Sequence, residues 1–195
     1  MLLFYRYWDN HPQLPEQERE KKTDLEELAR WHKQLTKQYN LTGKIRIARE
    51  GYNVTIGGAK HEITSYITEC CSHWSFAGLP LNCEEECHLF FKPTDGCACV
   101  FGLEKIASVR ITDEITPMGI EGYLPSDWDK IEVLSPAGFH ARCHEESTLL
   151  LDVRNNYESR IGYFISPQTG EPALRPPIRR FSQWPQFISA ISTWY

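Results

Sequence analysis

The sequence predicts two small domains laid end to end, an α+β domain followed by the opening units of an α/β domain. Three observations predict this. Residues 1–119 give the order strand, helix, hairpin, helix, strand, with an extra strand after it. Gly119 to Lys130 shows little periodicity and holds Gly122, Pro125 and two aspartates, which is how a linker reads. Strand, helix, strand and short helix then alternate, the pattern that starts a parallel sheet. The expected division is therefore a first domain over 1–119, a linker and first strand of the next domain over 120–134, and a partial second domain over 135–195.

Leu2 to Trp8 is an aromatic-rich strand ended by Asp9, Asn10 and Pro12, and the polar, proline-bearing stretch 10–22 reads as a loop. Thr23-Asp-Leu-Glu26 is a capping box. Leu25, Leu28, His32, Leu35 and Tyr39 then recur at helical spacing, and Asn40 can close the helix. His32, on this apolar stripe, is read as a packed histidine rather than a ligand. Lys44 to Glu50 and Tyr52 to Ile56 alternate as paired strands, with Glu50-Gly51 as the turn because glycine takes positive φ freely. After Gly57-Gly58, residues Ile63, Tyr66, Ile67, Cys70 and Trp74 form one face of a second helix. His88 to Lys92 and Lys105 to Ile111 read as further strands. This order is the split β-α-β arrangement of ferredoxin-like domains.

In the second domain, Lys130 to Leu134 reads as a strand. Ser135 caps a helix over Pro136 to Glu146, with proline at its first position. Thr148 to Val153 has the apolar run of a buried parallel strand that reaches a loop at Asp152 and Arg154. Asn155 caps a short helix with Tyr157 and Glu158, and Gly162 suits a left-handed stop. From Ser166 onward there are five prolines, and this much chain is expected to be too short to cover both faces of a parallel sheet.

Composition narrows the function classes. In 195 residues, 41% hydrophobic and 12% aromatic, there is enough apolar material for real cores. The formal charge of -5 gives no general attraction to polyanions, so any nucleic-acid contact must rest on local basic clusters. No apolar run is long enough to span a membrane and no cleavable signal is evident, so the expected compartment is cytoplasmic, or an organelle where a transit segment has been removed. Seven cysteines, an odd number without an export signal, read as reduced thiols. Six of them fall between Cys70 and Cys99, where Cys83-x-x-x-Cys87 fits one zinc knuckle but Cys97-x-Cys99 is too short for the second. Free thiols, no metal and no cofactor are expected.

Asp152-x-Arg154-x-x-x-Glu158-x-x-x-Gly162 after an apolar strand resembles the opening of a rhodanese domain, and Pro177 to Pro185 resembles the loop that follows in one rhodanese subgroup. Glu50-Gly-Tyr-Asn53 resembles the Glu-Gly-Ile-Asn turn of that subgroup, the rhodanese-like tRNA uridine hydroxylase family, with Tyr52 in place of isoleucine. Val109 to Gly119 resembles its Arg-x-Glu-Ile-Val-x-x-Gly segment with one extra residue. The resemblance implies an acylphosphatase-like form of the ferredoxin fold ahead of a rhodanese-like domain, and a tRNA substrate. It also implies that Asp152, Arg154 and Glu158 support an active site, and that Glu50, Gly51 and Asn53 form a structural turn. In that family a later loop cysteine is the nucleophile for wobble-uridine hydroxylation or sulfur transfer. No cysteine follows Cys143 here, so the expectation is a C-terminally truncated, non-catalytic member.

The alternative is an RNA- or protein-binding module built on the first domain. A true acylphosphatase needs an arginine in a glycine-rich phosphate loop, which Tyr7-Trp8-Asp9-Asn10 does not provide. Lys44 and Arg46 share one face of their strand, opposite Ile45 and Ile47, and with Arg49 they are the expected RNA contacts. Arg175, Arg179 and Arg180 form a further basic cluster. A protein partner, or self-association that completes the second sheet, is the other expected contact.

Overall fold

The computed structural model describes residues 1–7, 25–96, 106–120 and 132–191. The chain divides into two compact units at Thr116/Pro117. The first unit contains strand β1 (Leu2–Tyr7), helix α1 (Leu25–Gln38), strands β2 (Thr42–Ala48) and β3 (Gly51–Gly57), helix α2 (Lys60–Ser72), helix α3 (Glu84–Phe91) and strand β4 (Ser108–Ile111). Its four strands form one mixed sheet in the order β1-β3-β2-β4. β3 runs antiparallel to both β1 and β2, and β4 runs parallel to β2.

Period-two alternation decides which face of this sheet is dry. Leu2, Phe4, Ile45, Ile47, Tyr52, Val54, Ile56 and Val109 point to one side and are buried in one cluster. Against them α1 sets Leu28, Ala29 and Leu35, while α2 sets Ile63, Tyr66 and Cys70. The helices are tied at their ends as well as through the core. Asn40, at φ 49°, closes α1 in the left-handed conformation. Its side-chain amide donates to Glu62 at 3.2 Å, and Glu62 also caps α2 by accepting the Ala59 amide at 2.8 Å. The Thr23 to Glu26 capping box begins outside the described residues.

The strand expected at His88 to Lys92 is instead the end of α3. A run as short as Leu89-Phe90-Phe91 has no readable period, and its flanks decide the outcome. Glu84, Glu85 and Glu86 fill the first turn, where carboxylates favour the helix dipole. Lys92 then ends the helix at φ 45°, donating its amide to His88 O at 2.8 Å. α3 delivers Phe91 edge-on to Phe4, at 5.0 Å between centroids, and Phe90 to the same ring at 5.7 Å. The extra strand of the sequence reading is β4, at the sheet edge beside β2.

The second unit contains helices α4 (Pro136–Cys143), α5 (Asn156–Ile161) and α6 (Trp184–Ile191). Ser135 caps α4 as expected, accepting the Gly138 amide at 3.1 Å, but the helix stops at Cys143 and not at Glu146. Among the described residues 132–134 form no strand. Thr148 to Val153 is not a buried strand either: Leu149 is 68% and Val153 50% exposed. Its ladder is one parallel bridge, Leu151 to Leu174, closed by Asp152 N to Leu174 O at 2.9 Å and Leu174 N to Leu150 O at 2.8 Å. An apolar strand is buried only where neighbours cover it, and the described residues supply a single neighbouring segment. Gly162 is also extended, at φ -175°, so no left-handed stop is formed there.

Candidate nucleic-acid interface

The face of the sheet opposite the core is built by the other set of alternating residues. Pairing registers place Tyr5, Asn53, Arg46 and Arg110 in one rank across the four strands, and Leu3, Thr55, Lys44 and Ser108 in the next. Adjacent strands lie about 5 Å apart, so Arg46 and Arg110 are direct cross-strand neighbours and Lys44 lies diagonally from them. Among the described residues none of the three forms an ion pair, and Arg110 makes only a 3.3 Å bond to Ser108 Oγ. Leu3 and Tyr5 are half-exposed on the same face. The arrangement sets three cations on β2 and β4 and an aromatic ring on β1, with Asn53 and Thr55 on β3 between them.

The hairpin joining β2 to β3 has Arg49-Glu50 as its turn, one residue earlier than expected, because Ala48 still pairs with Gly51. Gly51 is required there for two reasons. Its φ is +152°, and a Cβ at that position would overlap the Arg6 carbonyl oxygen of the paired strand. Glu50 accepts the Ile115 amide at 2.6 Å, and Asn53 donates to Ile115 O at 2.9 Å. The two sequence segments that carried the resemblance, 50–53 and 109–119, thus meet at one backbone unit. Ile115 itself is fully buried. Arg49 is exposed on the turn and lies outside the strand ranks of Lys44 and Arg46, a correction to the reading that put all three on one strand.

In the second unit Asp152 and Arg154 form a forked ion pair, Nε to Oδ1 at 2.9 Å and Nη2 to Oδ2 at 2.8 Å. Arg154 also donates to Gly162 O at 2.7 Å, so the pair bridges the ends of α5. The Arg154 guanidinium holds the Asp152 carboxyl below the usual carboxylate range. Glu158 turns back to Asn155, accepting its amide at 3.0 Å and its side-chain NH2 at 2.8 Å. Its contacts are those of a helix cap. Arg175 stands over the Tyr163 ring at 5.3 Å, while the backbone amides of Arg179 and Arg180 both donate to Gln183 Oε1. No group of three or more His, Cys, Asp or Glu among the described residues is placed to hold a metal ion.

The sequence reading missed Tyr5 and Arg110. Their signal was present in the strand period, since Tyr5 lies opposite Leu2, Phe4 and Arg6 in parity and Arg110 opposite Val109. What the sequence could not supply was the pairing that lines them up with Arg46.

Comparison with known proteins bears on the whole chain. Residues 1–95 match the model of the UPF0176 acylphosphatase-like domain. A tRNA uridine(34) hydroxylase of Staphylococcus epidermidis is 31% identical over 166 residues, covering 85% of this chain and 46% of that protein. One of Staphylococcus haemolyticus gives the same identity and coverage. One of Bacillus licheniformis is 29% identical over 189 residues, covering 96% of this chain and 49% of its own. The chain thus spans about half the length of the curated relatives it matches. With residues 1–95 matching an acylphosphatase-like domain and this similarity along most of its length, the chain is similar to the tRNA uridine(34) hydroxylases over about half of their length.

Proposed function

We propose that the chain takes part in the modification of tRNA at uridine 34, and that its first unit holds the RNA on the open face of the sheet. The observation that carries this is the Arg46–Arg110 pair with Lys44 beside it. Like charges on neighbouring strands repel, and among the described residues no carboxylate forms an ion pair with them. A phosphate backbone lying across the strands offsets that repulsion, with counterion release supplying affinity in a chain of net negative charge. Phosphate contacts position the RNA without reading it. Tyr5 supplies a ring on which an unpaired base can stack, and Thr55 supplies a hydroxyl on the neighbouring strand.

In this reading the second unit contributes a rhodanese-like element in which the Asp152–Arg154 fork sets the loop after Leu151, with Glu158 capping α5. The basic residues Arg175, Arg179 and Arg180 are secondary RNA contacts of that unit, and Arg49 is a peripheral contact of the first. The site of action is the cytosol. Ultraviolet crosslinking of bound tRNA, followed by peptide mapping, tests the placement. The reading expects crosslinks to Tyr5 and to peptides covering residues 44–46 and 108–110. Crosslinks confined to residues 132–191 contradict it.

A further inference from the structure

The tRNA reading leaves the thiols of the first unit unused, and two of them lie together. Cys71, in the last turn of α2, and Cys87, in the middle of α3, place their Sγ atoms 3.2 Å apart. Both are half-buried and neither is bonded to another cysteine. We propose that Cys71 and Cys87 form a dithiol site that a hydroperoxide oxidises to a disulfide, fixing α2 to α3.

Three features single out this pair. Cys87 lines a cavity of about 550 Å3 whose walls come from both helices, Lys60, Thr64 and Ile67 on one side and Glu84 and His88 on the other. A small oxidant therefore reaches Cys87 from the cavity, while Cys71 is not part of its lining. Burial and the neighbouring Cys87 sulfur push the Cys71 thiol up to about 12, so it keeps its proton while Cys87 attacks the peroxide. Among the described residues the other thiols are worse placed. Cys70 is fully buried beside Tyr66, Cys83 is exposed at the N-cap of α3, and Cys143 is in the second unit.

The chemistry balances in two steps. The Cys87 thiolate attacks one peroxide oxygen, the O–O bond breaks, and Cys87 sulfenic acid forms as hydroxide leaves and takes up a proton as water. Cys71 then loses its proton and attacks the Cys87 sulfur, forming the S–S bond and releasing the sulfenic oxygen as a second water. Two electrons pass from the two sulfurs to the peroxide. The sulfurs must close from 3.2 Å to about 2 Å, a shift that side-chain rotation and a small movement of α3 supply. The cross-link joins the two walls of the cavity and so sets its width.

The test is oxidation of the full chain with a slight excess of hydrogen peroxide, alkylation of the remaining thiols, and non-reducing peptide mapping. The proposal expects loss of two alkylatable thiols per chain and a linked pair of peptides carrying Cys71 and Cys87. The link must vanish in Cys71→Ser and in Cys87→Ser and persist in Cys83→Ser. In Cys71→Ser, Cys87 must stop at a sulfenic acid trapped by dimedone. A disulfide joining Cys87 to Cys83, Cys97 or Cys99 overturns the proposal, as does oxidation of Cys87 in the unsubstituted chain while Cys71 stays open to alkylation. Mapping the unsubstituted chain decides the matter even if a variant fails to fold.

Discussion

His32 is fully buried, with Nδ1 3.0 Å from Tyr66 Oη and its ring edge-on to Tyr52 at 4.7 Å between centroids, and Nε2 has no partner among the described residues. Burial depresses its pKa to about 3, so the folded chain keeps it neutral where the unfolded chain, with histidine near 6.5, takes up a proton. The unfolded state then binds more protons below pH 6.5, and stability falls as pH falls. Between pH 6.5 and 5 the loss is about 2 kcal/mol, in a window above the ordinary titration of carboxylates. Urea melts across that range should show the slope, and His32→Phe should flatten it; an unchanged slope in the variant contradicts the account. Arg6 is also buried, donating to Ser75 O, Tyr7 O and Ala77 O at 3.0–3.3 Å, which ties the end of β1 to the segment after α2. Gly51 is the third such position. Gly51→Ala should destabilise the first unit by roughly 1–3 kcal/mol from backbone strain alone, with further loss from displacing β1, measured by thermal or urea unfolding. None of these costs was visible in the sequence beyond the glycine itself, because each depends on what lies across the sheet.

At the scale of elements, α3 is where local pattern and structure part. Leu89-Phe90-Phe91 carries the residues of a strand, but the acidic first turn and the left-handed Lys92 belong to a helix. Lys92→Gly tests this directly, because glycine relieves the strain of φ 45° and should stabilise the chain by roughly 0.5–1 kcal/mol. A lysine at the end of a regular strand gives the opposite sign. Phe91→Ala should cost about 3–5 kcal/mol, as the ring is wholly buried against Phe4 and Phe76. The elements with strong period, β1, α1, the β2–β3 hairpin and α2, were legible to within a residue or two, since one face of each is dry and the other wet. Thr148 to Val153 has the composition of a buried strand without the neighbours, and composition alone cannot report neighbours. The cap at Asn155 was legible because capping is local; the fate of Gly162 was not, because Arg154 reaches its carbonyl from outside the helix.

For the whole molecule, the two units differ in how much they bury. Among the described residues the first has a contiguous core of eighteen buried hydrophobic residues from Leu2 to Val109, while the buried hydrophobic side chains of the second are Cys143 and Ala173. Local opening follows buried contact, so amide exchange should be slow at Ile45 to Ile47 and fast at Leu149 to Val153. Equal protection of the two segments contradicts this. The functional account rests on the first unit's open face, where sequence parity gave Lys44 and Arg46 and only strand pairing added Arg110 and Tyr5. Its most direct test is the salt dependence of tRNA binding by the unsubstituted chain and by a Lys44→Ala, Arg46→Ala, Arg110→Ala variant. Removing three phosphate contacts should weaken binding and lower the slope of log affinity against log salt by roughly 2 to 3. A variant that binds as tightly as its parent, with the same slope, contradicts the claim that this face holds RNA.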